Sequence, residues 1–297
     1  MSRVIESILI PTDGSEGAIS GAKRGIALAS RFGADVHALS VVEGRDGPGD
    51  SDDVAFPPLL EEAEDAVEVV ATMATDHDQD VDVTTAVERG TPFQAIREYA
   101  HRREIDVVVM GTKGRTGLDR VLLGSVTENV LRTARTPVLA VPPDPDEPAI
   151  EAVSFDRLLL PTDGSEGAAI ATEWGIALAR RLESMVHALH SVDTSRFPGA
   201  REPDELFDEL ESRGEDAIGS VRELARDVGV SVSGSLATGA PAKVILAYAD
   251  DNEIDLIVMG THGKTGIGQW FLGSVTENVV RQATVPVLCV PVTAESP

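Results

Sequence analysis

The chain repeats itself. Residues 9–20 read LIPTDGSEGAIS and residues 159–170 read LLPTDGSEGAAI, identical at nine of twelve positions. Residues 111–141 and 260–290 agree at nineteen of thirty-one. The two matches are offset by 150 and 149 residues, so the distance between the motifs is kept within one residue. A period that long marks a duplicated domain rather than a solenoid unit of about 20–50 residues. The expected organisation is a domain over residues 1–142, a linker over 143–153 and a second domain over 154–297. The stretch Pro142-Pro143-Asp144-Pro145-Asp146-Glu147-Pro148 cannot continue a helix or a central strand.

Each half alternates short apolar runs with amphipathic stretches, the pattern of a parallel sheet covered by helices. In the first half the predicted strands are Ser7–Pro11, Asp35–Val42, Val81–Val87, Ile105–Met110 and Pro137–Val141. Helical periodicity falls near Glu16–Phe32, Leu59–Asp76, Pro92–Arg103 and Ser125–Arg135. In the second half the strands are Arg157–Pro161, Met185–Val192, Val230–Ala237, Ile254–Met259 and Val285–Val292. Ile105-Asp106-Val107-Val108-Val109-Met110 is nearly all apolar, as a strand buried on both faces requires. The fold class is therefore α/β, with two tandem doubly wound, Rossmann-like domains of five parallel strands each. Gly44–Pro58 and Asp193–Pro203 are the least regular segments and are expected to be mobile.

Aromatics make up 4% of the chain, so Val, Ile, Leu and Ala must fill the cores. No apolar run approaches the ~20 residues of a membrane helix, and the N-terminus lacks a signal-like apolar stretch. A cytoplasmic protein without a membrane partner is expected. The formal net charge is −25, divided almost evenly between the halves. Such a surface repels nucleic acid and anionic membranes. Only four of the 25 basic residues are Lys, and an acidic, Lys-poor surface over an ordinary core fits adaptation to high salt, as in halophilic archaea. The single cysteine, Cys289, excludes an internal disulfide and reads as a buried thiol in an apolar run.

Two motifs carry chemistry, and both follow predicted strands on the side where open α/β sheets bind ligands. The first is Pro11-Thr12-Asp13-Gly14-Ser15, copied at Pro161-Thr162-Asp163-Gly164-Ser165. Asp13 or Ser15 could cap the following helix; the carboxylate could equally receive a ribose hydroxyl or face a metal on a phosphate chain. The second motif is more specific. Gly111-Thr112-Lys113-Gly114 is followed after nine residues by Gly124-Ser125, and Gly260-Thr261-His262-Gly263 after nine residues by Gly273-Ser274. Glycines permit positive φ and close approach of backbone to ligand. Successive free N–H groups and the N-terminus of the next helix make an anion nest. Ser125 and Ser274 could cap that helix or donate to a phosphate oxygen. Lys113, Arg115 and Lys264 place cations beside the nest.

Two other phosphate motifs fail. Gly263-Lys264-Thr265 resembles the end of a Walker A loop, but position 258, where its first glycine belongs, is Val258. No G-x-G-x-x-G follows the first strand, which argues against a nicotinamide site. The pattern G-x2-G-x9-G-S followed by V-T-E-N-V resembles the ATP-binding branch of the universal stress protein family, once per half. The P-T-D after the first strand and P-V-L-x-V at the last strand belong to the same resemblance. It implies a stress-response or regulatory module that binds an adenine nucleotide, ATP with Mg²⁺, in two sites. It further implies that the backbone at the end of the second strand holds adenine and that the glycine loop holds phosphates. On this sequence the implied first site is Pro11, Asp13, Val41, Gly111, Gly114, Gly124, Ser125 and Val126. The second is Pro161, Asp163, Ser191, Gly260, Gly263, Gly273, Ser274 and Val275. Mg²⁺ would reach the protein through the phosphates near Asp13 and Asp163. The resemblance also implies that the apolar last strands pair across an interface, here within one chain as a pseudo-dimer; pairing of whole chains and the identity of a protein partner stay open.

Other readings remain beside this one. A slow ATPase or nucleotidyl-transfer enzyme would share the sheet, but H-x-G-H and S-G-G-x-D-S are missing, and no catalytic residue is assigned. An interaction scaffold would leave the loops to bind another anion or nothing. Glu128 and Glu277 lie in a helix first turn, where a favourable dipole position explains them about as well as catalysis does. His37 and His187 recur at one strand position without metal-ligand spacing and read as structural.

Overall fold

The computed structural model describes residues 5–43, 56–114, 123–143, 148–193, 203–263, 272–295 and 297, without the side chains of residues 56, 203, 204 and 206. Arg3–Val153 forms one compact unit and Ser154–Pro297 belongs to the other. The first unit runs β1 (Ser7–Pro11), α1 (Glu16–Phe32), β2 (Asp35–Val42), α2 (Phe56–His77), β3 (Val83–Arg89), α3 (Pro92–Arg102), β4 (Val107–Gly111), α4 (Ser125–Thr133) and β5 (Val138–Val141). The second runs β6 (Arg157–Pro161), α5 (Glu166–Leu182), β7 (Met185–Val192), α6 (Pro203–Val228), β8 (Val232–Thr238), α7 (Pro241–Asp251), β9 (Leu256–Gly260), α8 (Ser274–Gln282) and β10 (Val287–Val290).

Within the first unit the strand order is β3-β2-β1-β4-β5, and every pairing is parallel. The second unit repeats it as β8-β7-β6-β9-β10. The order reverses between β1 and β4, and between β6 and β9. The expected α/β class with two five-stranded doubly wound sheets is therefore what the chain adopts. β4 is buried at all five positions, while the edge strand β3 keeps exposed or half-buried positions throughout. One polar residue of the apolar run is used at its base. Asp106 accepts from the backbone N–H groups of Glu6 and Ser7 at 2.9 and 3.0 Å, fixing the start of β1 against β4. Asp255 receives the N–H of Arg157 in the same way, at 2.9 Å.

Most element boundaries follow the sequence pattern, and the differences have local causes. β4 starts at Val107 rather than Ile105, because the Ile105 N–H closes the α3 terminus on the Ala100 carbonyl at 2.9 Å. Ile105 is still core, with 5% exposure. α2 starts at Phe56, three residues before the predicted Leu59, since Pro57 and Pro58 occupy a first turn where no helical N–H partner is needed. The rest of Gly44–Pro58 and all but the ends of Asp193–Pro203 lie outside the described residues. α4 ends at Thr133, because Ala134 turns extended at ψ 145° ahead of Thr136-Pro137. Cys289 is fully buried, and burial pushes its thiol up to about 12, as expected of an inert core cysteine.

The units differ at one helix end. α1 stops at Gly33 in the left-handed region, φ 65°, whereas α5 stops at Glu183 with φ 59°. A side chain there carries a conformational cost that glycine lacks. Glu183→Gly is expected to raise stability by about 0.5–1 kcal/mol, after the entropy glycine gains in the unfolded chain. Denaturant unfolding that shows no gain over the parent protein would count against this cap assignment.

Candidate functional site

The turn after β1 is built by its own side chains. The Thr12 N–H donates to the Leu39 carbonyl at 2.8 Å, holding the turn against β2. Gly14 then takes φ 75°, a backbone conformation that favours glycine, and its N–H donates to Thr12 Oγ1 at 3.2 Å. Asp13 Oδ1 accepts from the Ser15 N–H at 3.0 Å and from Ser15 Oγ at 2.5 Å. Ser15 Oγ in turn accepts the Ala18 N–H at 3.3 Å and is the N-cap of α1. The N-cap of α1 is thus Ser15, while Asp13 holds the Ser15 N–H and hydroxyl. The second unit repeats this with Gly164 at φ 73°, Asp163 Oδ1 on the Ser165 N–H at 3.0 Å and Ser165 on the Ala168 N–H at 3.3 Å.

The glycine loop lies beside this turn because α1 presses on the end of β4 without side chains between them. A Cβ on Gly17 would overlap the Lys113 carbonyl, and one on Gly111 would overlap the Gly17 carbonyl. A Cβ on Gly21 would come within 2.8 Å of the Gly111 nitrogen. In the second unit a Cβ on Gly167 would overlap the His262 carbonyl, and one on Gly260 would stand 2.6 Å from the Gly167 carbonyl oxygen. Gly111 and Gly260, expected to line an anion nest, therefore have a packing reason to be glycine. Gly114 faces the aspartate instead: its missing Cβ would sit 3.1 Å from Asp13 Oδ2, and that of Gly263 2.9 Å from Asp163 Oδ2. Among the described residues the positive-φ glycines lie elsewhere, and Gly124 and Gly273 have φ −60° and −59°. Close approach, rather than left-handed backbone, selects glycine here.

The loop returns through Gly124, whose N–H donates to the Thr112 carbonyl at 2.8 Å, and Gly273 does the same to Thr261. Gly124 and Gly273 are the N-cap residues of α4 and α8, and neither helix has a side-chain cap. Ser125 and Ser274 are the exposed first helical residues, so the capping alternative for them falls away. Val126 and Val275 follow, half-buried. Sequence reasoning singled out Glu128 and Glu277 in V-T-E-N-V and overlooked their neighbours. Thr127 Oγ1 donates to the Gly111 carbonyl at 2.8 Å, and Thr276 Oγ1 to Gly260 at 2.8 Å, tying each helix start to the end of the preceding strand. Glu128 pairs with Arg132 at 2.8 Å and Glu277 with Arg281 at 2.7 Å along their own helices. Arg115 and Lys264 lie outside the described residues.

Pro11 and Pro161 end β1 and β6 opposite Leu39 and Leu189, three register positions short of the ends of β2 and β7, so Val41 and Ser191 stand two positions past them. The Leu39 carbonyl points to the β1 side, where it takes Thr12, and the Val42 carbonyl points to the β3 side, where it takes the Gly90 N–H at 3.1 Å. Backbone direction alternates along a strand, so the peptide groups of Val41 point to the β1 side past its end. Ser191 follows the same geometry between the Leu189 and Val192 carbonyls. Its hydroxyl is engaged with the Gly239 carbonyl at 2.7 Å. Each unit thus gathers the turn aspartate, the second glycine of the loop, an uncapped helix N-terminus and outward-directed strand peptides at the point where strand order reverses. His37 and His187 lie apart from this arrangement, each 3.0 Å from a tyrosine hydroxyl, Tyr99 and Tyr248. Burial, followed by the nearby Arg103 or Arg157, holds both below the ordinary imidazole range.

The sequence model of the universal stress protein family matches residues 5–142 and again residues 154–291. The chain belongs to the universal stress protein family. It is a tandem member, with one family domain in each half. A universal stress protein of Methanocaldococcus jannaschii is 38% identical over 139 residues, 46% of this chain and 82% of the relative. One from Mycobacterium tuberculosis is 30% identical over 222 residues, 74% of this chain and 72% of the relative. The crystal structure of a universal stress protein from Archaeoglobus fulgidus covers 97% of both chains with a TM-score of 0.71 at 23% identity, a likeness of fold. Among the described residues no helix is long and apolar enough to cross a membrane.

The two kinds of glycine make separable demands. Gly111→Ala places a methyl on the Gly17 carbonyl, and should cost at least about 1–3 kcal/mol of stability without any ligand present. A thermal transition unmoved by that substitution would refute the close packing of α1 on β4.

Proposed function

We propose that each unit binds one adenine nucleotide, ATP accompanied by Mg²⁺, and that the protein acts as a nucleotide-binding stress or regulatory module. The observation that carries this reading is that Gly114 and Gly263 face Asp13 Oδ2 and Asp163 Oδ2 so closely that an added Cβ would stand 3.1 and 2.9 Å from them, beside an uncapped helix at the switch point. The donor set suits a phosphate chain. An uncapped helix start presents backbone N–H groups and partial positive charge to an anion. Ser125 and Ser274 add a hydroxyl there, and Lys113 adds a cation in the first unit. The strand peptides of Val41 and Ser191 offer both a donor and an acceptor, which matches an adenine edge. Asp13 and Asp163 supply one carboxylate per site. Among the described residues no group of three His, Cys, Asp or Glu could hold a metal. Mg²⁺ therefore fits as an ion carried on the nucleotide phosphates with most of its water, the usual manner of this cation. In this reading Pro11 and Pro161 end the strand so that the nucleoside has room. Gly124, Gly273, Val126 and Val275 form the start of the phosphate-facing helix.

Binding follows from this arrangement without a catalytic base. The helix N-termini and loop amides neutralise phosphate charge, and the aspartates orient the nucleoside or the hydrated ion. Gly114→Val crowds Asp13 Oδ2 and should weaken ATP at the first site more than about tenfold, or 1.4 kcal/mol. Gly263→Val should do the same at the second site, and the double variant should give no binding heat in calorimetry. Two sites of unchanged affinity in the double variant would overturn the reading.

We also propose that the surface is adapted to high salt. The net charge of −25 makes the compact state self-repelling, and counter-ions relieve that repulsion. The melting temperature should climb as KCl is raised from about 0.1 M to about 2 M; a flat or falling profile would remove the proposal.

A further inference from the structure

The two units differ at one buried position beside their sites. β2 carries Ser40 where β7 carries His190, and the residues are 4% and 8% exposed. In the ladders Ser40 stands against Val87 and His190 against Leu236. His190 Nδ1 lies 2.7 Å from the Thr162 carbonyl oxygen in buried surroundings. A carbonyl only accepts, so Nδ1 carries the proton and donates. Thr162 directly precedes Asp163, and its carbonyl belongs to the peptide that links the two. Among the described residues, Ser40 makes no such bond to Thr12.

The packed helix has changed to match. A Cβ on Gly14 would meet Ala66 at 3.6 Å, and one on Gly164 would meet Ala217 at 3.7 Å, so α2 and α6 run in step at an offset of 151 residues. Gly214 of α6 then corresponds to Ala63 of α2, a buried residue. A methyl on Gly214 would come within 2.6 Å of His190 Cδ2 and of Leu236 Cδ2. Ser40 and Ala63 of the first unit, both buried, are thus replaced by His190 and Gly214 in the second. The larger strand residue occupies space that the helix gives up, as close-packed cores require.

We propose that His190 is a positioning residue of the second nucleotide site. Its imidazole ties the Thr162–Asp163 peptide to β7, across the floor of the turn that bears the Asp163 carboxylate. The second unit therefore has its turn tied to β7 from behind by a side chain, a tie that the first unit, held by Thr12 on Leu39 and Ser15 on Asp13, does without. A group ordered in advance costs less when the ligand binds, so the second site holds the nucleotide more tightly than the first. The ligand named here rests on the nucleotide-binding reading; the tether rests on the geometry alone.

Hydrogen exchange on the full ligand-free chain tests the tether. The Gly164 and Ser165 amides should exchange about fivefold to tenfold more slowly than those of Gly14 and Ser15. The double variant His190→Ser with Gly214→Ala installs the first unit's own pair, so it should fold, and it should bring the two turns to equal rates. His190→Asn keeps an N–H donor on the atom bonded to Cγ and should keep the slow exchange. In a Gly114→Val background, where only the second site remains, ATP titration should show about a tenfold loss for the Ser–Ala variant and within about twofold of parental affinity for Asn. Equal exchange in the two parental turns, or affinity and exchange that ignore the Ser–Ala exchange, would overturn the positioning role. Exchange that responds while the Gly114→Val protein takes up no ATP would overturn the nucleotide reading, and with it the assignment of a ligand to the tethered turn.

Discussion

The contact between α1 and the end of β4 is the constraint on which each site depends. Gly17 and Gly111 meet with backbone against backbone, and Gly167 and Gly260 repeat the arrangement. No side chain larger than hydrogen fits at those points. This closeness brings the loop after β4 over the start of α1, where the turn after β1 also ends. The two loops are far apart in sequence, and one helix–strand contact makes them neighbours. The aspartate of one then faces the second glycine of the other, where an added Cβ would stand 3.1 or 2.9 Å from a carboxylate oxygen.

Around that contact, polar groups are divided between structure and chemistry. Ser15 and Ser165 take the capping role, with their oxygens on the amides of Ala18 and Ala168. The aspartates are thereby spared it. Thr127 and Thr276 reach back to the last carbonyl of the preceding strand and secure the helix start without covering its N-terminus. Gly124 and Gly273 occupy the cap positions and offer no side chain to the first-turn amides. A helix end left in that state favours an anion, because its N–H groups otherwise depend on water.

The duplication is faithful in these elements and selective in its departures. Left-handed turns, serine caps and threonine ties recur in both units. The buried position beside the turn does not, and its partner on the packed helix changes with it. A change compensated in this way preserves the core while altering one hydrogen bond at a candidate site. That is how two copies of a fold can keep one architecture and acquire unequal binding properties.

The sequence by itself determined the α/β class, the five strands of each half and the positions of both motifs. Strand burial and helix amphipathicity leave periodic traces that need no tertiary information, and Glu16–Phe32 is a helix for reasons contained within it. It also marked Asp13, Gly114 and their copies, because phosphate-compatible loops require glycine. It could not tell why each glycine was there. Gly111 and Gly114 are three residues apart in one motif, yet one packs against a helix backbone and the other against a carboxylate. Nor could it assign the cap of α1 between Asp13 and Ser15, or single out His190, whose meaning depends on a carbonyl 28 residues away and on a glycine in another helix. Those distinctions belong to the tertiary structure, because close approach and hydrogen-bond direction arise only when segments distant in the chain are packed together.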